Sequence, residues 1–238
     1  MQDTILFDLD GTLLPMDQET FIRAYFTQLI KRFAPLGYTK EELTGGIWKG
    51  TYAMIANDGT MTNRERFWQV FSALVAHDLD GLEAQMDDFY AREFDKVREI
   101  THPNGLARPI IDTLKAKGYT VVLATNPVFP RVAVQTRLSW IGLKLEDFAW
   151  VTTYETSHFC KPNPRYFEEI LKTIGKTPDK CRMIGNNTDD DMSAATLGME
   201  TFLVNDFLEN EKQLDLAAFP HGTLEDVKNW AEALPALG

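Results

Sequence analysis

The stretch TILFDLDGTL, residues 4–13, joins an apolar run to a turn that carries two aspartates. Residues 4–7 are apolar, aromatic or β-branched, and Gly11 follows closely, which is typical of a buried strand that breaks into a turn. Residues two apart in a strand point to the same side, so Asp8 and Asp10 are predicted to project together near its carboxyl end. Each carboxylate opposes the ionisation of the other, and this predicts a positive group beside them.

Strands and helices alternate in the second half of the chain. Helical patterns separate the apolar runs YTVVLAT, FAWVTT, CRMIG and TFLVN, and this alternation predicts a parallel sheet with helices on both faces. Residues 17–100 instead repeat apolar side chains at helical spacing and contain two capping-box patterns, Thr39 with Glu42 and Thr62 with Glu65. The sequence therefore predicts an α/β fold, in which a Rossmann-like parallel sheet core carries an inserted α-helical bundle.

The bundle is predicted to follow the first strand, which splits the core in sequence. The predicted domains are the α/β core, residues 1–15 and 101–238, and the inserted helical bundle, residues 16–100, which we call the cap domain. The last cap helix is expected over about residues 82–99. The glycines of GGIWKG, residues 45–50, mark either a flexible recognition loop or a helix break with Trp48 in the cap core.

The composition limits the partners. The chain has 238 residues and a net charge of −11 at pH 7, so a general basic surface for nucleic acid or an anionic membrane is missing. No apolar run approaches the roughly 20 residues that a membrane-spanning helix needs. Cys160 and Cys181 have no metal-type spacing, and the chain starts in a strand without a signal-peptide pattern. We expect a cytoplasmic protein that acts on a small molecule, with no nucleic-acid or membrane partner.

Ligands of parallel α/β sheets bind beyond the carboxyl ends of the strands, so polar residues at these ends are candidates for function. Taken singly, several have ordinary structural explanations. Thr125 and Asn126 could end a strand and cap the next helix, Lys161 could be a loop lysine, and an aspartate run could favour a helix N-terminus. The candidates, in chain order, are Asp8, Asp10, Thr125, Asn126, Lys161, Asn186 and the aspartates 189–191.

Together these residue types suit a phosphate held beside Mg²⁺. Magnesium prefers oxygen ligands and often binds one or two carboxylates together with a substrate phosphate, and the Lys161 ammonium would offset further negative charge. One carboxylate can attack phosphorus to form an aspartyl-phosphate. A second carboxylate can protonate the leaving oxygen and then activate water. The sequence thus predicts a magnesium-dependent phosphatase that acts on a small phosphorylated metabolite.

Four motifs, in the expected order and spacing, resemble those of the haloacid dehalogenase superfamily, whose members are mostly phosphatases. They are DLDGTL (residues 8–13), LATN (123–126), KPNPRYF (161–167) and MIGNNTDDDMSAA (183–195), and the predicted bundle resembles the type 1 cap of that family. The resemblance implies that Asp8 is the nucleophile and a Mg²⁺ ligand. It implies that Asp10 is the general acid/base and gives its backbone carbonyl to the metal, and that Thr125, Asn126 and Lys161 bind the phosphoryl group.

One position departs from the family pattern. The fourth motif usually begins Gly-Asp, and that aspartate binds magnesium, whereas this chain has Asn186. Asparagine offers a carbonyl oxygen without charge, so either the metal is held more weakly by Asn186 and Asp191, or Asp190 or Asp191 moves inward. The dehalogenases of the superfamily lack an aspartate at the position of Asp10, so its presence favours phosphoryl chemistry.

Two other functions stay open from the sequence, a phosphomutase on the same scaffold and a non-catalytic protein that binds a phosphorylated ligand or a protein. The substrate is undecided, since the cap would supply its contacts. Met16 and Asp17 are candidates for the entrance, and Arg131 faces either the site or solvent. By their helical spacing, aromatic residues such as Phe21, Tyr25 and Trp68 are expected in the cap core.

Overall fold

Six parallel strands form one sheet in the computed structural model, which describes residues 2–75 and 81–237. The strand order β3-β2-β1-β4-β5-β6 places β1 between β2 and β4. The predicted parallel sheet is confirmed; β6 was not predicted because two residues are too few to give a periodic pattern. The strands are β1 Thr4–Phe7, β2 Thr120–Leu123, β3 Trp150–Val151, β4 Cys181–Gly185, β5 Glu200–Val204 and β6 His221–Gly222.

The segment between β1 and β2 opens with the predicted helices. Both predicted capping boxes are present, at the starts of the second and third helices. The fourth helix is shorter than predicted, because Arg92 leaves the helical region and residues 93–100 continue as a 3₁₀ helix. With about three residues per turn, this helix turns both Phe94 and Val97 into the core. The helices are α1 Gln18–Phe33, α2 Lys40–Ile55, α3 Asn63–Ser72 and α4 Leu82–Ala91.

The remaining helices cover both faces of the sheet. Ile5 and Phe7 point into one hydrophobic cluster and Leu6 into another, which explains why β1 reads as an unbroken apolar run. The helices are α5 Ala107–Ala116, α6 Arg131–Trp140, α7 Pro164–Ile174 and α8 Leu224–Ala233. Buried side chains of α5, α6 and α8 join the cluster of Ile5, and those of α7 join the cluster of Leu6.

The two chain crossings between the sheet and the inserted helices lie side by side. The N–H of His102 donates to the carbonyl oxygen of Pro15 at 2.8 Å. This contact lies at the predicted boundaries after residue 15 and before residue 101, and the division into two domains there stays a prediction. Within the described ranges, no helix combines the length and the apolar character that crossing a bilayer requires.

Both sequence-based interpretations of GGIWKG are wrong, since residues 45–50 lie inside α2. The glycines serve helix packing. A Cβ on Gly46 would stand 2.9 Å from the ring of Phe71, and one on Gly50 would stand 2.5 Å from the ring of Phe67. Glycine at both positions therefore lets α3 lie close against α2, at a cost of about 1 kcal/mol of helix propensity each.

Candidate active site

The predicted site residues line one cavity at the carboxyl edge of the sheet. It has a volume of about 270 Å³ and lies between the ends of β1, β2 and β4 and the helices α1 to α4. The structure therefore brings together the residues singled out from the sequence except Asp189, which pairs with Lys212 and does not line the cavity. The individual roles of the others stay predictions. We call these residues the polar floor, and they are Asp8, Asp10, Thr125, Asn126, Lys161, Asn186 and Asp191.

A turn after β1 places both of its aspartates in the cavity. The N–H of Asp8 donates to the carbonyl oxygen of Ile184 at 2.9 Å, so the pairing of β1 with β4 extends to this residue. Gly11 then adopts a φ of +78°, a left-handed conformation that glycine accepts without strain. A Cβ there would also stand 2.2 Å from Nδ2 of Asn186. Glycine thus permits both the turn and its packing against the loop after β4.

Lys161 supplies the positive group that the paired aspartates predicted. Its Nζ donates to Oδ1 of Asp8 at 2.8 Å and to Oδ1 of Asp191 at 2.6 Å, deep in the protein. Burial alone would lower the pKa of Lys161, but the carboxylates of Asp191 and Asp8 raise it well above its usual value, so the ammonium keeps its proton. Burial raises the pKa of Asp8, against the opposing effect of Lys161. A further cation beside Asp8 would lower that pKa again.

Thr125 and Asn126 follow β2 as predicted, but neither caps α6, which begins after Pro130 without a side-chain cap. Nδ2 of Asn126 donates to Oδ2 of Asp190 at 3.1 Å, and its Oδ1 accepts from the N–H of Lys161 at 3.3 Å. Asn126 therefore connects the loops that follow β2, β3 and β4. Thr125 is buried beside it and lines the cavity.

Asp10 has a partner that the sequence analysis missed. Arg137 of α6 is fully buried, its Nη1 donates to Oδ2 of Asp10, and its guanidinium lies 4.4 Å from the ring centroid of Phe129. The other oxygen of Asp10, Oδ1, is buried and has no hydrogen-bond partner in the described part of the chain. The sequence did contain a signal of this ion pair, because Arg137 falls on the buried stripe of α6 between Val134 and Leu138. A charge on such a stripe requires a buried partner.

The loop after β4 holds Asn186 and Asp191 through contacts inside the protein. Oδ1 of Asn186 accepts from Oγ1 of Thr12 at 3.0 Å, and its Nδ2 donates to the carbonyl oxygen of Phe207 at 2.6 Å. Asp191 holds Lys161 with one oxygen and accepts from a backbone N–H of its own loop with the other, at 3.0 Å. Asp191 thus positions Lys161 in this structure.

Glu209 is a second residue that the sequence analysis missed. It lies in the segment after β5 and lines the cavity, where its Oε2 accepts from Nδ2 of Asn187 at 2.8 Å. Burial raises its pKa, and the nearby carboxylates of Asp191 and Asp190 add to the effect. Reading onward from the carboxyl end of β5, as was done for the other strands, would have pointed to this segment.

The donor set of the floor fits a hard cation. Burial raises the pKa of Asp190 as well, and the neighbouring carboxylate of Asp191 adds to the effect. No group of three or more carboxylate, imidazole or thiol ligands is assembled in residues 2–75 and 81–237, so neutral oxygens, water and a substrate phosphate would complete the coordination, as Mg²⁺ commonly requires. Five carboxylates line the cavity against the single ammonium of Lys161 among the described residues: Asp8, Asp10, Asp190, Asp191 and Glu209.

The side of the cavity opposite the floor is formed by the inserted helices and is largely apolar. Phe21 and Tyr25 are buried, as expected of cap core residues, and they also face the cavity. We call this surface the aromatic roof, and its members are Phe21, Tyr25, Phe26, Trp48, Trp68 and Tyr90.

The two residues considered for the entrance, and Arg131, lie outside the cavity lining. Met16 is buried in the core, and Asp17 caps α1 by accepting from the N–H of Thr20 at 2.8 Å. The residue that follows them, Gln18, lines the cavity instead. Arg131 is exposed at the start of α6 and faces solvent.

Comparison with known proteins identifies the family of this architecture. A model of the haloacid dehalogenase-like hydrolase family matches residues 2–198. The pyrophosphatase PpaX of Bacillus cereus (strain AH820) is 23% identical over 213 residues, which cover 90% of this chain and 88% of the relative.

Solved structures share the fold but carry different activities in their names. A HAD phosphatase from Thermococcus onnurineus superposes with a TM-score of 0.62 at 19% identity, with both chains covered completely. A 2-haloacid dehalogenase from Pseudomonas syringae pv. Tomato DC3000 superposes with a TM-score of 0.61 at 19% identity, covering 97% of this chain and 100% of that one. The fold alone therefore does not separate dehalogenation from phosphate transfer.

Proposed function

Because the chain belongs to the haloacid dehalogenase-like hydrolase family, we propose that this hydrolase is a phosphatase that cleaves a small-molecule phosphomonoester through an aspartyl-phosphate on Asp8. The observation that carries the proposal is the position of Asp10. It lines the cavity together with Asp8, and its Oδ1 has no hydrogen-bond partner within the described residues. A free carboxyl oxygen near the nucleophile suits proton transfer to an alkoxide leaving group, which dehalogenation does not need.

The residues of the polar floor would take different roles in this reaction. An oxygen of Asp8 attacks phosphorus, the bond from phosphorus to the ester oxygen breaks, and Asp10 donates its proton to that oxygen. Water then attacks the phosphorus of the aspartyl-phosphate, Asp10 takes a proton from this water, and the bond from phosphorus to Asp8 breaks. Lys161 and Thr125 would hold the phosphoryl oxygens during both steps.

We also propose Mg²⁺ as the cofactor. The carboxylate of Asp8, the backbone carbonyl of Asp10 and Oδ1 of Asn186 would hold the ion. Asp190 or Asp191 would be the alternative ligand to Asn186. The ion would neutralise charge between the phosphate and the floor. The excess of carboxylates in the cavity supports this proposal. Asn186 reduces the charge of the ligand set, and this observation favours a second candidate, a protein that binds a phosphorylated ligand without turning it over.

The names of the relatives agree with phosphoryl chemistry, since one is called a pyrophosphatase and another a phosphatase. The proposed substrate is a small phosphorylated metabolite, and the proposed location is the cytoplasm. Cys160 and Cys181 are both free and buried, which suits a reducing compartment.

The test is phosphate release from a panel of phosphorylated metabolites, with Mg²⁺ and with EDTA. We expect release that requires Mg²⁺ and falls at least about a thousandfold in Asp8→Asn, because the nucleophile is lost. Asp179→Asn is the matched control. It makes the same change on an exposed residue before β4, at the amino edge of the sheet, and should retain full activity. Absence of release from every ester by the wild-type protein, together with measurable binding of a phosphate ester, would favour the non-catalytic candidate.

A further inference from the structure

The aromatic roof is suited to an apolar leaving group, because the polar atoms of Tyr25, Tyr90 and Trp68 are hydrogen-bonded within the protein. The hydroxyls of Tyr25 and Tyr90 lie 2.8 Å apart in a buried hydrogen bond. Nε1 of Trp68 donates to the hydroxyl of Tyr154 at 3.4 Å, and that hydroxyl donates to Glu83 at the same distance. Burial raises the pKa of both Tyr25 and Tyr90. A polyol or sugar would lose water at this surface and find few hydrogen bonds in return.

Positive charge is confined to the floor. Among the described residues that line the cavity, Lys161 is the sole cation, and it already bridges Asp8 and Asp191. Arg137 is buried behind Asp10 and is not part of the lining. A second phosphate or a carboxylate on the leaving group would therefore face rings, aliphatic side chains and the uncharged side chains of Gln18 and Thr51. No counter-charge would be present within the described part of the lining, which is costly.

The size and the opening of the cavity also favour an apolar leaving group. A volume of about 270 Å³ lies just below the usual range of about 300–1,000 Å³ for small-molecule sites, so it suits a phosphate with one or two rings. Trp48 and Ile55 line the cavity while remaining 36% and 41% exposed. Tyr52 stacks on Trp48 with ring centroids 5.8 Å apart, so the apolar surface continues outward along α2.

We infer that the substrate is a phosphomonoester of an uncharged, predominantly apolar alcohol or phenol, of about the size of one or two rings, and that pyrophosphate and anionic phosphate esters are disfavoured. This inference rests on the proposed phosphatase function. It separates the chain from its relative in Bacillus cereus, which is named a pyrophosphatase. The floor would bind the phosphoryl group and the roof would stack against the ring of the leaving group.

The first experiment compares two esters whose leaving groups have similar basicity, and adds pyrophosphate, whose leaving group is much less basic. With Mg²⁺ present, kcat/KM is measured for 2-phenylethyl phosphate and glucose 6-phosphate, both esters of primary alcohols, and for pyrophosphate. Burying a ring of the size of a phenylalanine side chain should raise kcat/KM by between about tenfold and a hundredfold. We therefore expect 2-phenylethyl phosphate to exceed both of the others by at least about tenfold. Equal or reversed values would overturn the inference and leave the phosphatase proposal intact.

A charge placed at the rim tests the role of the roof. Ile55→Lys adds a cation to the lining at an exposed helix C-terminus, where lysine is tolerated. It should move the ratio of kcat/KM between 2-phenylethyl phosphate and pyrophosphate at least about fivefold toward pyrophosphate. Leu74→Lys is the control, because Leu74 is 40% exposed and lies outside the cavity. An unchanged ratio in Ile55→Lys, with a melting temperature like that of the control, would count against the roof as the selective surface.

Binding of phosphonates separates the inference from the proposed activity. Benzylphosphonate and methylphosphonate cannot be hydrolysed, and calorimetry gives their dissociation constants with the wild-type protein. At least about tenfold tighter binding of benzylphosphonate supports the apolar roof even if no ester is turned over. In that case the phosphatase proposal fails and the inference about the ligand stands. Equal affinities for the two phosphonates would overturn the inference.

Discussion

The polar floor and the aromatic roof face each other across one cavity but are built in different ways. The floor comes from strand ends, where Lys161, Asp8 and Asp191 fix one another through short hydrogen bonds between buried charges. The roof comes from the faces of inserted helices, where rings meet at centroid separations such as the 5.9 Å between Phe26 and Trp48. A change in the floor leaves a charge unpaired, whereas a change in the roof removes one of many weak contacts.

This difference suggests that chemistry and selectivity reside in separable parts of the molecule. The charged residues Lys161, Asp8 and Asp191 of the floor cannot be replaced without affecting both folding and catalysis, because each of these charges depends on another. The roof can change its members while the floor stays intact. Substitutions that break this division would show that the two surfaces are coupled.

The largest effect is expected at Lys161. Lys161→Met removes the ammonium between Asp8 and Asp191 and leaves two buried carboxylates without their partner. We expect a loss of about 3–5 kcal/mol in the free energy of unfolding, measured by urea denaturation, together with the loss of phosphate release.

Lys172→Met is the matched control, since Lys172 is exposed on α7 and its replacement should cost less than about 0.5 kcal/mol. If Lys161→Met were as stable as this control, the floor would not be held together by its charges.

A smaller effect is expected at Asp147, an ionic site that the cavity does not use. Burial raises the pKa of Asp147, but hydrogen bonds from Arg108 and from the N–H of Lys144 outweigh it and lower the pKa to about 2. A depressed pKa stabilises the folded state above the ordinary value near 4, and this contribution is lost as the pH falls toward 2. Arg108 is one-third exposed, so we expect Asp147→Asn to cost about 1–2 kcal/mol at pH 7.

The pH dependence and the activity distinguish Asp147 from the floor. Denaturation of the wild type and of Asp147→Asn should give a stability difference that shrinks between about pH 4 and pH 2, with no change in phosphate release at pH 7. Asp112→Asn, which removes an exposed partner of Arg108, is the control and should change stability by less than about 0.5 kcal/mol. A difference that stayed constant down to pH 2 would contradict the assigned ion pair.

The sequence predicts the floor better than the roof for a physical reason. Strands of a parallel sheet end at one edge, so position after a strand was enough to gather Asp8, Thr125, Lys161 and Asn186. Helical periodicity says only that a side chain faces inward. It does not say whether the space inside is packed or left as a cavity, and Phe21 and Tyr25 were therefore expected only in the core.

Contacts between residues that are far apart in the sequence are the other part of the structure that the sequence analysis could not predict. Arg137 and Asp10 are 127 residues apart, and nothing in the local pattern around either one names its partner. The glycines of α2 show the same limit. Gly46 and Gly50 predict a break by local propensity, but both lie inside one continuous helix, where the rings of α3 pack closely against them.

An effect of similar size is expected at Asn186, where a substitution tests whether the floor and the roof are separable. Asn186→Asp restores a carboxylate at the position where the family usually has one, and it should tighten Mg²⁺ binding about tenfold, as measured by calorimetry. The carbonyl of Phe207 would lose the donor that now lies 2.6 Å away, so without Mg²⁺ the variant should be less stable by about 1–2 kcal/mol.

Asn229→Asp adds the same charge on the exposed face of α8 and serves as the control, with unchanged Mg²⁺ affinity. Because the substitution lies in the floor, the ratio of kcat/KM between 2-phenylethyl phosphate and glucose 6-phosphate should stay within about twofold of the wild type. A tighter metal site combined with a changed ratio would mean that the charge of the floor also selects the leaving group, and the division between the two surfaces would have to be abandoned.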